Sequence, residues 1–136
     1  ANTKKDLLVV NCDTLLNIHY DKFFDYHLSQ KNDFTIVAAF KKIVVPYGVC
    51  EIDKNQKLKK IIEKPSLNNL VVVGAYCFNN KLIKHIPNNK KFDMSDFIKK
   101  LIQRKYKVGI YPISEIDWQD VGEWPEYFKT ISNYKK

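Results

Sequence analysis

The chain has 136 residues, the length of one domain, which is enough to bury a core without disulfide staples. Hydrophobic residues make up 45% and charged residues 28%, so a disordered chain is excluded, and no apolar run approaches the roughly 20 residues of a membrane span. Lys and Arg number 23 against 15 Asp and Glu, a formal charge of +8, but Arg104 is the sole arginine. Base reading and bidentate phosphate gripping favour arginine, so the charge reads as a solvated surface and no nucleic-acid partner is expected.

Asp6 to Cys12 is a short run of β-formers, read as a strand buried on both faces and ending at Asp13. Tyr20, Phe23, Phe24, His27 and Leu28 recur at helical spacing, which predicts a helix over 20–30. Phe34 to Phe40 is a second buried strand, so strand, helix and strand make a βαβ unit. Gly48 to Ile52 and Leu58 to Ile62 are short strands around the turn-rich Asp53-Lys-Asn-Gln-Lys57, a hairpin leading into Glu63-Lys64-Pro65. Leu70 to Phe78 is another strand, interrupted by Gly74, and Lys81 to Ile86 a short helix stopped by Pro87.

Asp93 is placed to cap a helix in which Met94, Phe97, Ile98, Leu101 and Ile102 fall on one face. Val108 to Ile113 is a strand, Asp117 to Gly122 a tight polar segment, and Glu123 to Tyr134 a terminal helix. One α/β domain is expected, with a Rossmann-like mixed sheet and an inserted hairpin over 48–62. Cys12, Cys50 and Cys77 form no C-x-x-C and each sits in an apolar run, so they read as buried thiols in a reducing cytoplasm. The polar start, Ala1 to Asp6, shows no secretory signal.

Ligands of open α/β sheets bind beyond the carboxyl ends of the strands. Asp13 lies there, and Asp120 stands just before Gly122. Carboxylates so placed either hold a magnesium ion that carries phosphates or serve as loop and capping residues. Lys64 can reach a phosphate as a mobile charge and Glu63 can accept from sugar hydroxyls; the alternative is a surface ion pair. Gly48 opens a strand and Gly74 interrupts one, marking either close ligand approach to the backbone or local sheet geometry. His19, His27 and His85 lack metal-ligand spacing, and His27 reads as a packed residue. Trp118 and Trp124 read as packing residues, Trp118 with the option of buttressing the loop of Asp120.

The order of these segments carries more than any one of them. Val9-Val-Asn-Cys-Asp13, Pro46-Tyr-Gly48, Glu63-Lys-Pro65, Val73-Gly-Ala-Tyr76 and Trp118-Gln-Asp-Val-Gly122 follow one another as in the sugar-phosphate nucleotidylyltransferases. The chain resembles the mannose-1-phosphate guanylyltransferase-like branch from Asp6 to about Tyr134. The resemblance implies that a sugar 1-phosphate attacks the α-phosphorus of a nucleoside triphosphate, GTP by that branch, and releases pyrophosphate. It implies Mg2+ on Asp13 and Asp120, Lys64 on the sugar phosphate, Glu63 on sugar hydroxyls, and Gly48 where the sugar lies against the backbone. The pair Asn-Thr, common before the family's glycine, is replaced by Val72 and Val73 ahead of Gly74, which puts a polar sugar contact and the sugar's identity in question.

The family's glycine-rich loop, G-G-x-G-T-R-L, is absent from the 136 residues. The whole chain, 1–136, therefore reads as the C-terminal, sugar-phosphate-binding portion of a single nucleotidylyltransferase domain: an excised piece, a broken gene or half of a split enzyme. Three expectations follow. Triphosphate binding needs the missing part. The chain alone is inactive. The uncovered sheet edge beside the Asp13 strand self-associates. The alternatives are a non-catalytic sugar-phosphate-binding or regulatory module, a basic nucleic-acid module and a purely structural domain.

Overall fold

A computed structural model describes residues 5–122, Phe128 and Ile131. In chain order it contains β1 (Asp6–Val10), β2 (Thr14–Leu16), α1 (Tyr20–Ser29), β3 (Phe34–Val44), β4 (Val49–Ile52), β5 (Leu58–Ile62), β6 (Ser66–Asn79), a 3-10 helix (Asn80–His85), α2 (Met94–Gln103), β7 (Val108–Ile113), a 3-10 turn (Glu115–Asp117) and β8 (Trp118–Asp120). The main sheet has the order β1-β6-β3-β7. Only β3 and β7 pair in parallel; β6 is antiparallel to both its neighbours. β2 pairs with β8 and β4 with β5 in two small ribbons.

The sheet is the middle of three layers because successive side chains along a strand point to opposite faces. Val37 and Ala39 of β3 and Val73, Ala75 and Cys77 of β6 point to one face, where Phe23 of α1 and Ile113 close a core. Phe34 and Ile36, with Tyr76 and Phe78, point to the other, against Phe97 and Leu101 of α2. Burying a phenylalanine such as Phe23 contributes about 1.5–3 kcal/mol. Lys31 (φ 52°) and Lys105 (φ 62°) end α1 and α2 in the left-handed region. At each stop the next two N–H groups return to helix carbonyls: Lys31 and Asn32 to Leu28 and His27, Lys105 and Tyr106 to Ile102 and Leu101.

Several expectations need correction. β1 is not buried on both faces: it is half exposed and, among the described residues, has β6 as its one neighbour, so it forms an edge of the described sheet. β1 and β3 run parallel, but β6 lies between them, so the βαβ crossover spans one strand. β3 and β6 extend beyond the apolar runs, to Val44 and back to Ser66. The helix predicted at Lys81–Ile86 is the 3-10 helix Asn80–His85. Cys12 and Cys50 are exposed because their segments have no covering layer; Cys77 alone is buried, and burial, followed by the charge of Asp6, pushes its thiol up to about 12. Asp93 takes the cap position without a side-chain bond, and its carbonyl accepts from Asp96 and Phe97. The predicted terminal helix over 123–134 falls largely outside the described residues. Among the described residues, no helix is long and apolar enough to cross a membrane.

Candidate active site

The β2–β8 ribbon brings two distant parts of the sequence together. Its register sets Thr14 opposite Asp120, and the Val121 N–H donates to the Asp13 carbonyl at 3.0 Å. Asp13 and Asp120 are thereby fixed on either side of Gly122. A Cβ placed on Gly122 would lie 3.1 Å from Asp13 Oδ2 and 3.3 Å from Asp120 Oδ1, so the two carboxylates converge on the space that the glycine leaves free. Asp120 Oδ1 also accepts the Gly122 N–H at 3.0 Å. Two carboxylates with open space beside them match what magnesium takes from a protein when phosphates and water complete its shell. No third His, Cys, Asp or Glu joins them among the described residues.

Both aspartates line a cavity of about 350 Å³, together with Asn11, Gly74, Ser95 and Trp118. Gly74 lies in β6 where β1 ends. Its φ is +81°, a value that side-chain-bearing residues rarely adopt, and an added Cβ would meet Asn11 Nδ2 at 2.7 Å. The Asn11 N–H donates to the Gly74 carbonyl at 2.8 Å. Glycine is therefore needed here so that the Asn11 amide can pack over the strand at the cavity wall. Trp118 is part of that wall, and its buried Nε1–H has no hydrogen-bond partner among the described residues.

Gly48, Glu63 and Lys64 form a second group at the mouth of the hairpin. A Cβ on Gly48 would meet Glu63 Oε2 at 3.1 Å, and the Lys64 N–H donates to the Tyr47 carbonyl at 3.3 Å. Lys64 holds φ +46°, a left-handed conformation that lifts it out of the strand path just before Pro65. Both charged side chains are exposed, and neither lines the cavity of the aspartates. The sequence-selected residues thus fall into two groups: Asp13, Asp120 and Gly74 at the cavity, and Gly48, Glu63 and Lys64 at the hairpin.

Asn11, Ser95 and the indole N–H of Trp118 were missed as site components. Asn11 was read as part of the strand Asp6 to Cys12, whereas β1 ends at Val10 and leaves Asn11 just past it. Ser95 had no signal, since a serine in a first helical turn reads as a cap. His27 is the packed residue expected of it: Nδ1 lies 2.7 Å from Thr35 Oγ1, which also accepts from Asn32 Nδ2 at 3.0 Å. Burial lowers its pKa, against the opposing charges of Asp6 and Asp33.

Comparison with known proteins identifies the family and the fold. The family model described as nucleotidyl transferase matches residues 1–136. A protein of Sulfolobus acidocaldarius provisionally named mannose-1-phosphate guanyltransferase is 33% identical over 131 residues, covering 94% of this chain and 35% of its own. The UTP–glucose-1-phosphate uridylyltransferase of Synechocystis is 27% identical over 135 residues, covering 93% and 34%. This chain thus spans about a third of the length of the curated relatives it matches. The crystal structure of HddC from Yersinia pseudotuberculosis superposes with a TM-score of 0.66 at 23% identity, over 97% of this chain and 56% of that one, and shares its fold. The chain belongs to the nucleotidyl transferase family.

Proposed function

We propose that this chain is the sugar-phosphate-binding portion of an enzyme that joins a nucleoside triphosphate to a sugar 1-phosphate, giving an NDP-sugar and pyrophosphate. The observation that carries the reading is the convergence of Asp13 and Asp120 beside Gly122, in a chain of this family. The two carboxylates would hold Mg2+, which supplies charge neutralisation for the phosphates when bound. Both exposed groups at the hairpin serve the sugar phosphate: Lys64 offsets the charge of its phosphate, and Glu63 accepts from its hydroxyls. The Asn11 amide takes the space over Gly74, so close approach of the sugar to the backbone falls to Gly48. The unpartnered Trp118 N–H offers a donor to a substrate oxygen, a bond whose absence from a buried group is costly. Catalysis here rests on positioning and charge rather than on a covalent step with the protein. The 33% identity to a protein named as a guanyltransferase supports GTP as the nucleotide.

The 136 residues carry no glycine-rich triphosphate loop. Taken alone, the chain therefore binds a sugar phosphate without turnover, which is also how a non-catalytic sugar-phosphate module would behave. The free edge of β1 further supports self-association of the isolated chain, and a monodisperse monomer in sedimentation would overturn that part. The test of the main reading is pyrophosphate release from GTP and mannose 1-phosphate by a protein that carries this chain together with a glycine-rich loop. Release that disappears in Asp13→Asn and Asp120→Asn is expected. Binding of the sugar phosphate with no pyrophosphate from any triphosphate would move the non-catalytic module ahead.

A further inference from the structure

We infer that Lys41 is a positioning residue for the cavity, acting through Trp118 on Asp120; this rests on the reading of Asp120 as a metal ligand. Lys41 Nζ stands 5.0 Å from the centre of the Trp118 ring. It continues the row Val37, Ala39, Lys41 on β3, and alternation puts all three on the sheet face where Trp118 packs. Its side chain is half-buried, and β6 pairs alongside it at Asn69. Trp118 and Asp120 are two residues apart on β8, so they project on the same side of that strand. Because the Trp118 N–H is unpartnered among the described residues, no hydrogen bond from them fixes the indole plane at its polar edge. The ammonium over the ring face is the electrostatic contact that does. Rotation of the indole changes the wall of the cavity and releases the three-residue ribbon that aims the Asp120 carboxylate beside Asp13.

The experiment uses the 136-residue chain with Trp124→Phe as background, which leaves Trp118 as the sole tryptophan. Lys41→Met keeps the length and removes the charge; Lys41→Arg keeps the charge and the ring contact. Far-UV circular dichroism checks that each is folded, acrylamide quenching reads Trp118, and electron paramagnetic resonance reads Mn2+ binding. Lys41→Met is expected to increase quenching and to weaken Mn2+ binding by about two- to fivefold, the size of one partly exposed cation–aromatic contact. Lys41→Arg is expected to restore both. Wild-type quenching in Lys41→Met would overturn the inference. Altered quenching with unchanged Mn2+ affinity would overturn the link to Asp120. If the parent chain binds no Mn2+, the metal reading of Asp13 and Asp120 fails and takes that link with it, while quenching still decides whether Lys41 holds the indole.

Discussion

The paired strands β3 and β6 pass through two different environments. From Phe34 to Ala39 every residue of β3 is buried, between α1 on one face and α2 on the other. From Phe40 to Val44 the same ladder continues without a break in pairing, yet Phe40 is 58% exposed, and Leu67 and Leu70 of β6 are 54% and 43% exposed. Residue type does not separate the two halves, since both contain phenylalanine and branched aliphatics. The covering layers do. One half has helices on both faces, while the other, with the hairpin of β4 and β5, presents apolar surface to its surroundings. The two candidate groups divide along the same line. All four charged side chains are exposed, but the aspartates sit at the end of the covered half, held by backbone pairing of β2 with β8, and Glu63 and Lys64 sit at the open half beside the hairpin.

The sharpest test of this contrast substitutes the same residue type in both halves. Phe34 is fully buried and stacks on Phe78 with ring centres 5.0 Å apart. Phe34→Ala is expected to cost about 3–5 kcal/mol in urea unfolding, and Phe40→Ala to stay within about 1 kcal/mol. Equal losses would mean that the outer half is covered in solution.

A smaller effect is expected at the junction. Gly74→Ala forces a side chain into a left-handed backbone and against Asn11, at a cost of about 1–3 kcal/mol. If the glycine serves cavity shape as proposed, Asn11→Ala in the same chain recovers part of that loss, because it removes the amide contacts at 2.7 and 2.8 Å and leaves the Asn11 Cβ at 3.0 Å. No recovery would assign the whole cost to the backbone.

The smallest effect is the dependence on pH, and it belongs to the covered half. His27 is buried and its folded pKa lies below the ordinary 6.5, chiefly through desolvation. The unfolded chain therefore takes up a proton first as pH falls. The stability that neutral His27 contributes is full above about pH 6.5 and is lost as pH drops through the folded value. The urea midpoint should fall on acidification across that window, and His27→Gln should flatten the fall. His85, also lowered by desolvation and by Arg104, Lys84 and Lys100, adds in the same direction and keeps the variant's profile from becoming flat.

How much of this was legible in the sequence follows from the same physics. The inner halves of β3 and β6 and the helices α1 and α2 were read correctly because burial on known faces leaves a periodic record. The outer halves were cut short at Lys41–Lys42 and Asn68–Asn69, where polar residues end the apolar run while backbone pairing goes on. β2 and β8, three residues each, are too short to show any period. That ribbon is what joins Asp13 to Asp120, so spacing offered the two aspartates separately and only the family resemblance put them on one metal. Gly74 was marked as an interruption, and its positive φ with the Asn11 contact supplies the reason. Cys12 and Cys50 were misread because apolar neighbours on a strand do not ensure a covering layer.

The central claim is that Asp13 and Asp120 form one metal-dependent sugar-phosphate site. Titration calorimetry of this chain with MgCl2, followed by mannose 1-phosphate, tests it most directly. The account predicts that the sugar phosphate binds in the presence of magnesium, and that Asp13→Asn and Asp120→Asn each weaken the metal by at least about tenfold and remove the sugar-phosphate heat with it. Magnesium affinity unchanged in both variants, or sugar-phosphate binding indifferent to magnesium, would contradict it.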